Sequence, residues 1–225
     1  MSDSADTIDL AAEPVQPGEP DVESAPSPEL DPETLARREA ALRRVRKLGD
    51  PVLRAGAVAV DRFDEALREE IERMGQLMHD ALGIGLAANQ IGVAHRVLVY
   101  RVHEEDAVTA LVNPVLEWAS EELEAAMEGC LSLPGVHIEV ERPAQVRVRA
   151  RDGAGNELLI EAEGLHARVI QHEIDHLDGI LILDRVPRAV RKEAMREMRE
   201  TLRAEAEGSA AQSRNDDTER EPSVA

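Results

Sequence analysis

At 225 residues the chain has room for one core of ordinary size with tails beside it. Hydrophobic residues make up 43% but include one Phe, one Trp and one Tyr; the core must be aliphatic, and a base-stacking platform for single-stranded nucleic acid is disfavoured. The net charge of −20 sits largely in the ends, with ten acidic and no basic side chains in 1–36 and four acidic against two basic in 208–225, which argues against DNA binding.

Residues 1 to about 34 are rich in Pro, Asp, Glu, Ala and Ser without an apolar period, and they read as a disordered acidic tail. There is no secretory signal, no run long enough to span a membrane, and a single cysteine that cannot form an intrachain disulfide. A soluble cytoplasmic protein is expected. Composition turns helical from Pro32 to Arg46, and Gly49-Asp50-Pro51 predicts a turn. Ile71, Met74, Leu77, Met78 and Leu82 recur at spacings of three and four, which predicts an amphipathic helix over 65–82, ended by Gly83-Ile84-Gly85. Val97–Tyr100 and Ala110–Val112 read as strands, with Asn113-Pro114 a turn. Alternation over 136–140 and 144–150, then a turn at 151–156 and a strand over 157–161, predicts half-buried antiparallel strands. A helix is expected over 165–178, closed by Gly179, then a short strand at 180–183 and a charged helix from Val190 to Ala206. Strands clustered between helices predict an α+β fold. The organisation expected is a disordered acidic tail over 1–40, a catalytic domain over 41–187, a C-terminal helix over 188–207 and a disordered tail over 208–225.

His172 and His176 lie four apart with Glu173 beside the first, so both imidazoles share a helix face. This H-E-x-x-H pattern belongs to metal-dependent hydrolases, in which the glutamate works on a metal-bound water. Two ligands leave a site incomplete. One peptidase class takes a third histidine six residues on, but Ile182 stands there and cannot bind metal. Another takes a downstream glutamate, for which Glu193, Glu197 and Glu200 are available. The remaining donor is Cys130, in the shaped loop Glu128-Gly129-Cys130-Leu131-Ser132-Leu133-Pro134. A G-x-G-x-x-A run at 83–88 superficially matches a dinucleotide fingerprint, but a helix and not a strand precedes it. Its glycines instead let backbone groups approach a ligand.

Together, Gly83-Ile84-Gly85-Leu86-Ala87-Ala88-Asn89-Gln90, Glu128-Gly129-Cys130-Leu131-Ser132 and Gln171-His172-Glu173-Ile174-Asp175-His176-Leu177-Asp178-Gly179 resemble the three signature motifs of the peptide deformylase family, in order and rough spacing. The similarity covers about residues 43–187. It implies antiparallel sheets packed around a central helix that carries the H-E-x-x-H motif, plus an N-terminal and a C-terminal helix. It further implies a hydrolase acting on a linear amide, which removes the formyl group from N-formylmethionyl nascent peptides and releases formate. Cys130, His172 and His176 become the ligands of one metal ion per chain, typically Fe(II), with Zn(II) or Ni(II) accepted. The resemblance makes Glu173 the acid and base, and gives Gln90 and the Leu131 N–H the developing oxyanion. Ile84, Gly85 and Gly129 would hold the peptide, with Ile84, Leu165 and Val169 around the methionine side chain. In bacterial relatives the C-terminal helix contributes to docking near the ribosomal exit tunnel.

Some positions depart from the family or stay open. His137 stands where many relatives carry a substrate-contacting arginine. Arg168 stands where some carry an apolar residue, and its aliphatic stem could line a pocket wall. Glu128 and Arg142 either brace the Cys130 loop or form an ordinary surface pair, and Asp175 either supports a ligand or is solvated. Arginines and glutamates interleave along 188–203, which suits solvated pairing more than ribosome contact. The competing readings are a zinc endopeptidase with Cys130 inert, and a silent metal-binding relative.

Overall fold

The computed structural model describes residues 30–103 and 105–218, with side chains to Arg203. The expected tails over 1–29 and 219–225 lie outside the described residues. Helix α1 (Pro32–Leu42) leads through a 3-10 turn at Pro51–Arg54 to helix α2 (Glu65–Asp80). The acidic tail therefore does not extend to residue 40, because α1 occupies that stretch. The Asp64 carboxylate caps α2 by accepting the Leu67 N–H at 3.3 Å. Met74, Leu77 and Met78 form the buried stripe that the apolar period predicts. The helix ends at Asp80, and Leu82, with φ of 56°, turns the chain away from the helical run.

Strands β1 (Gly85–Ala87), β2 (Val97–Tyr100), β3 (Thr109–Ala119), β6 (Gln145–Arg151) and β7 (Glu157–Glu163) form a five-stranded antiparallel sheet in the order β1-β2-β3-β6-β7. Strands β4 (Leu123–Cys130) and β5 (Leu133–Pro143) form a separate two-stranded sheet. Helix α3 (Gly164–Leu177) carries the H-E-x-x-H motif. Its Ala167, Ile170, Ile174 and Leu177 share a core cluster with Leu98, Leu111, Val146 and Val148 of the large sheet. The α+β architecture around a central helix is the one expected from the sequence.

Three local expectations fail for identifiable reasons. Asn113-Pro114 is not a turn but an irregularity inside β3, where the register shifts between Val112 and Val115. Asn113 takes φ 54°, and its side-chain amide clamps Val60 by accepting its N–H and donating to its C=O, both at 2.8 Å. Asparagine tolerates this left-handed conformation, and a bulge suits a proline that has no N–H to pair. The segment 180–183 is not a strand; Ile182–Asp184 is a 3-10 turn, because Asp184 accepts the Leu181 N–H at 2.9 Å and pairs with Arg54 and Arg191. Helix α4 (Arg188–Thr218) begins earlier than Val190 and runs past Gly208, where a disordered tail was expected. Ala194 and Met198, one turn apart on α4, pack with Val136, Ile138 and Val140 of β5. Among the described residues no helix is long and apolar enough to cross a membrane.

Candidate metal centre and substrate cavity

The fold brings Cys130, His172 and His176 together, with one donor atom of each lying within 4.8 Å of the others. Ligand atoms at roughly 2.0–2.3 Å from a common ion cannot be more than about 4.6 Å apart, so the spacing is close to that of a coordination shell. Cys130 Sγ lies 3.2 Å from His176 Nε2. The thiol comes from the end of β4, where the register slips between Gly129 and Cys130 and the hairpin turns back at Leu133. That slip aims Cys130 at the helix, away from the regular face of the strand. The fourth donor of a closed structural site is missing among the described residues, so the set fits an open catalytic one. Glu193, Glu197 and Glu200 are exposed on α4, with Glu193 paired to Arg196. The downstream-glutamate ligand set of the endopeptidase reading does not assemble.

The histidines are held from behind. Glu128 Oε2 lies 2.9 Å from His172 Nδ1, so an ionised Glu128 accepts that N–H and leaves Nε2 for a metal. Glu128 also receives both branches of the Arg142 guanidinium at 2.6 and 2.9 Å and Arg168 at 2.7 Å. Burial opposes its charge, yet Arg142 and His172 outweigh that and hold the carboxyl far below the usual range. Arg142 continues to Asp175 at 2.8 Å, and Arg185 closes on the same carboxylate. The Glu128–Arg142 pair is thus a buried brace, and Asp175 is buried and doubly paired. The Asn89 side chain donates to the His176 carbonyl and ties the end of the motif to the loop after β1. Burial, together with nearby cations, keeps His176 well below its ordinary pKa. At His172 burial is overcome by hydrogen bonds with Cys130 and Glu128, and its pKa rises.

Glu173 and Gln90 sit beside the donors. Burial pushes the Glu173 carboxyl up to about 7, against the pull of His172 and Arg142. Its Oε2 is buried without a hydrogen-bond partner among the described residues. A carboxyl titrating near neutrality suits a group that both takes and returns a proton. The Gln90 carbonyl oxygen accepts the Ala87 N–H at 2.8 Å, which turns Nε2 toward Ser132 Oγ at 3.3 Å and Cys130 Sγ at 3.9 Å. One end of the amide is thereby fixed, and the donor end faces the donors.

These groups form the floor of a cavity of about 530 Å³. Ile84, Gly85, Gly129, Leu131, Leu165 and Val169 all line it, as do His137 and Arg168. Arg168 lines the cavity, and its guanidinium reaches Glu128, the Val140 carbonyl and the Glu124 carbonyl. Four contributors went unassigned in the sequence. Ser132 is fully buried between Gln90 and the Leu48 N–H, which donates to its carbonyl at 3.0 Å. Arg185 completes the Asp175 pair, and no local spacing signals it. Arg38 and Leu42 reach the cavity from α1, a helix whose packing face the sequence leaves open.

Comparison with known proteins points to one family. The sequence model of the polypeptide deformylase family matches residues 42–192. A peptide deformylase of Thermosynechococcus vestitus is 49% identical over 142 residues, 62% of this chain and 76% of that protein. Another from Natranaerobius thermophilus is 46% identical over 153 residues, 68% of this chain and 97% of that protein. The crystal structure of a Synechococcus elongatus peptide deformylase in complex with actinonin aligns at a TM-score of 0.66 and 44% identity, over 68% of this chain and 85% of the other.

Proposed function

The chain belongs to the polypeptide deformylase family, metal-dependent hydrolases that remove the formyl group from the amino terminus of nascent peptides, and from that premise we propose how its residues divide the work. Cys130, His172 and His176 hold one ion, Fe(II) in the cell, with Zn(II) or Ni(II) able to replace it; a soft thiolate beside two imidazoles suits all three. When bound, the ion supplies Lewis acidity and makes hydroxide available near neutral pH.

The remaining chemistry falls to protein groups. Glu173 takes a proton from the attacking water as its oxygen bonds to the formyl carbon. It returns that proton to the peptide nitrogen as the C–N bond breaks, so water is divided between formate and the freed amino terminus. The carbonyl oxygen gains charge on the way, and Gln90 Nε2 and the Leu131 N–H donate to it. Strand β1 is an edge of the large sheet, which supports an extended peptide lying along Ile84 and Gly85 with Gly129 on its other side. Backbone pairing of this kind tolerates many sequences. The methionine side chain enters among Ile84, Leu165 and Val169, where Ile84 and Leu165 stay 44% and 51% exposed and so keep apolar surface available to a ligand.

Formylated nascent chains as substrate support our reading of a cytoplasmic enzyme that works close to the ribosomal exit tunnel. On α4, Arg196 pairs with Glu193 and Glu200, so any ribosome contact would fall to its other cations.

The observation that carries the reading is that Cys130, His172 and the buried Glu173 line one cavity, with His176 close behind them in the same donor cluster. Oxygen-free protein should release formate from formyl-Met-Ala. Glu173→Ala should keep its metal and lose turnover, and unimpaired turnover by that variant would refute the assignment of the base.

A further inference from the structure

The family match begins at residue 42, so nearly all of α1 lies ahead of the stretch that the family model matches. Even so, α1 borders the substrate cavity. Ala41 and Val45 are buried in the cluster that includes Met74 and Met78 of α2, and Leu42 packs against it. This anchoring fixes the helix. Arg38 lies one turn before Leu42, hence on the same face, and both line the cavity. Arg38 is exposed and makes no ion pair among the described residues.

The charges around that cavity are unequal. Its lining carboxylates are Glu128 and Glu173. Both are buried, and Glu128 is consumed by Arg142, Arg168 and His172. Of the cations, Arg168 is spent on Glu128 and two carbonyls, and Lys47 reaches the Leu131 carbonyl at 2.9 Å. Arg38 therefore brings to the mouth a positive charge that no lining carboxylate offsets.

We propose that α1 is a specificity element of this enzyme, and that Arg38 favours nascent chains with an acidic side chain in the first few residues after the formylmethionine. The inference rests on the deformylase reading, because it takes the formyl end to lie at the floor and the chain to run outward. An extended peptide advances roughly 3.3–3.6 Å per residue, so a few residues carry it from the floor of such a cavity to its rim. An exposed guanidinium–carboxylate pair changes affinity by up to about fivefold, a bias and not an absolute filter. Salt screens it, since the Debye length falls from ~10 Å at 0.1 M to ~3 Å at 1 M.

The test is kcat/KM on C-terminally amidated formyl-Met peptides that differ by one Glu in place of Gln at the second, third or fourth residue. The wild type should favour Glu by roughly twofold to fivefold at one or more positions in low salt, with the ratio falling toward one near 1 M. Arg38→Lys should keep the preference, Arg38→Ala should abolish it and Arg38→Glu should reverse it. A wild-type ratio of one, or one that Arg38→Ala leaves unchanged, would overturn the inference while leaving the activity intact. Absence of formate from every peptide would overturn the deformylase reading and this inference with it.

Discussion

Glu173 owes its position to a residue with no side chain. A Cβ on Gly85 would overlap Glu173 Oε1 and come within 2.9 Å of its Cδ, so the carboxylate packs directly on the β1 backbone. Gly85→Ala must push it aside while leaving Cys130, His172 and His176 in place. Displacing a reacting group by about 1 Å costs on the order of a hundredfold. The expected result is a loss of that size in kcat with bound metal unchanged; turnover near wild type would show that the carboxylate has room to move. Residues of this kind were legible to different degrees. His172, Glu173 and His176 announce themselves by helical spacing, and Cys130 by the loop around it. Ser132 and Arg185 gave no such signal, because their roles come from long-range packing against Gln90 and Asp175.

At the scale of elements, the β4–β5 hairpin and α3 are joined by an ionic chain that runs from His172 through the buried Glu128, Arg142 and Asp175 to the exposed Arg185. Removing one partner from such a chain leaves an uncompensated charge and costs about 3–5 kcal/mol. Losing the carboxylate behind a ligating histidine also weakens metal binding by roughly tenfold to a hundredfold. Glu128→Gln should therefore lower both the unfolding free energy in denaturant titrations and the affinity in competitive chelation. A variant that matched the wild type in both would show that Arg142 and Asp175 suffice. The strands of this hairpin differ in how they can be read. β5 alternates Val136, Ile138 and Val140 and is plain in the sequence. β4 (Leu-Glu-Ala-Ala-Met-Glu-Gly-Cys) is rich in weak strand formers and is held by pairing with β5. Asn113-Pro114 misleads for a related reason, since its turn chemistry is spent inside a strand on a clamp to Val60.

Across the whole molecule, the centre draws on parts far apart in sequence. Gln90 comes from the turn after β1, Cys130 from the small sheet, and the histidines from α3. The motifs made this assembly legible, because each is local and together they name one fold. The role of α1 was not legible, since Arg38 becomes part of the cavity only when Ala41 and Val45 anchor the helix against α2. The central claim is that Cys130, and no glutamate of α4, completes the ligand set. An Fe(II)-thiolate site is also vulnerable to oxidation at its sulfur, so the deciding measurement is metal content per chain after oxygen-free purification, for the wild type and Cys130→Ala. The account predicts one ion per wild-type chain and its loss from the variant, with deformylation lost alongside. A Cys130→Ala protein that kept one ion per chain and full formate release would contradict it.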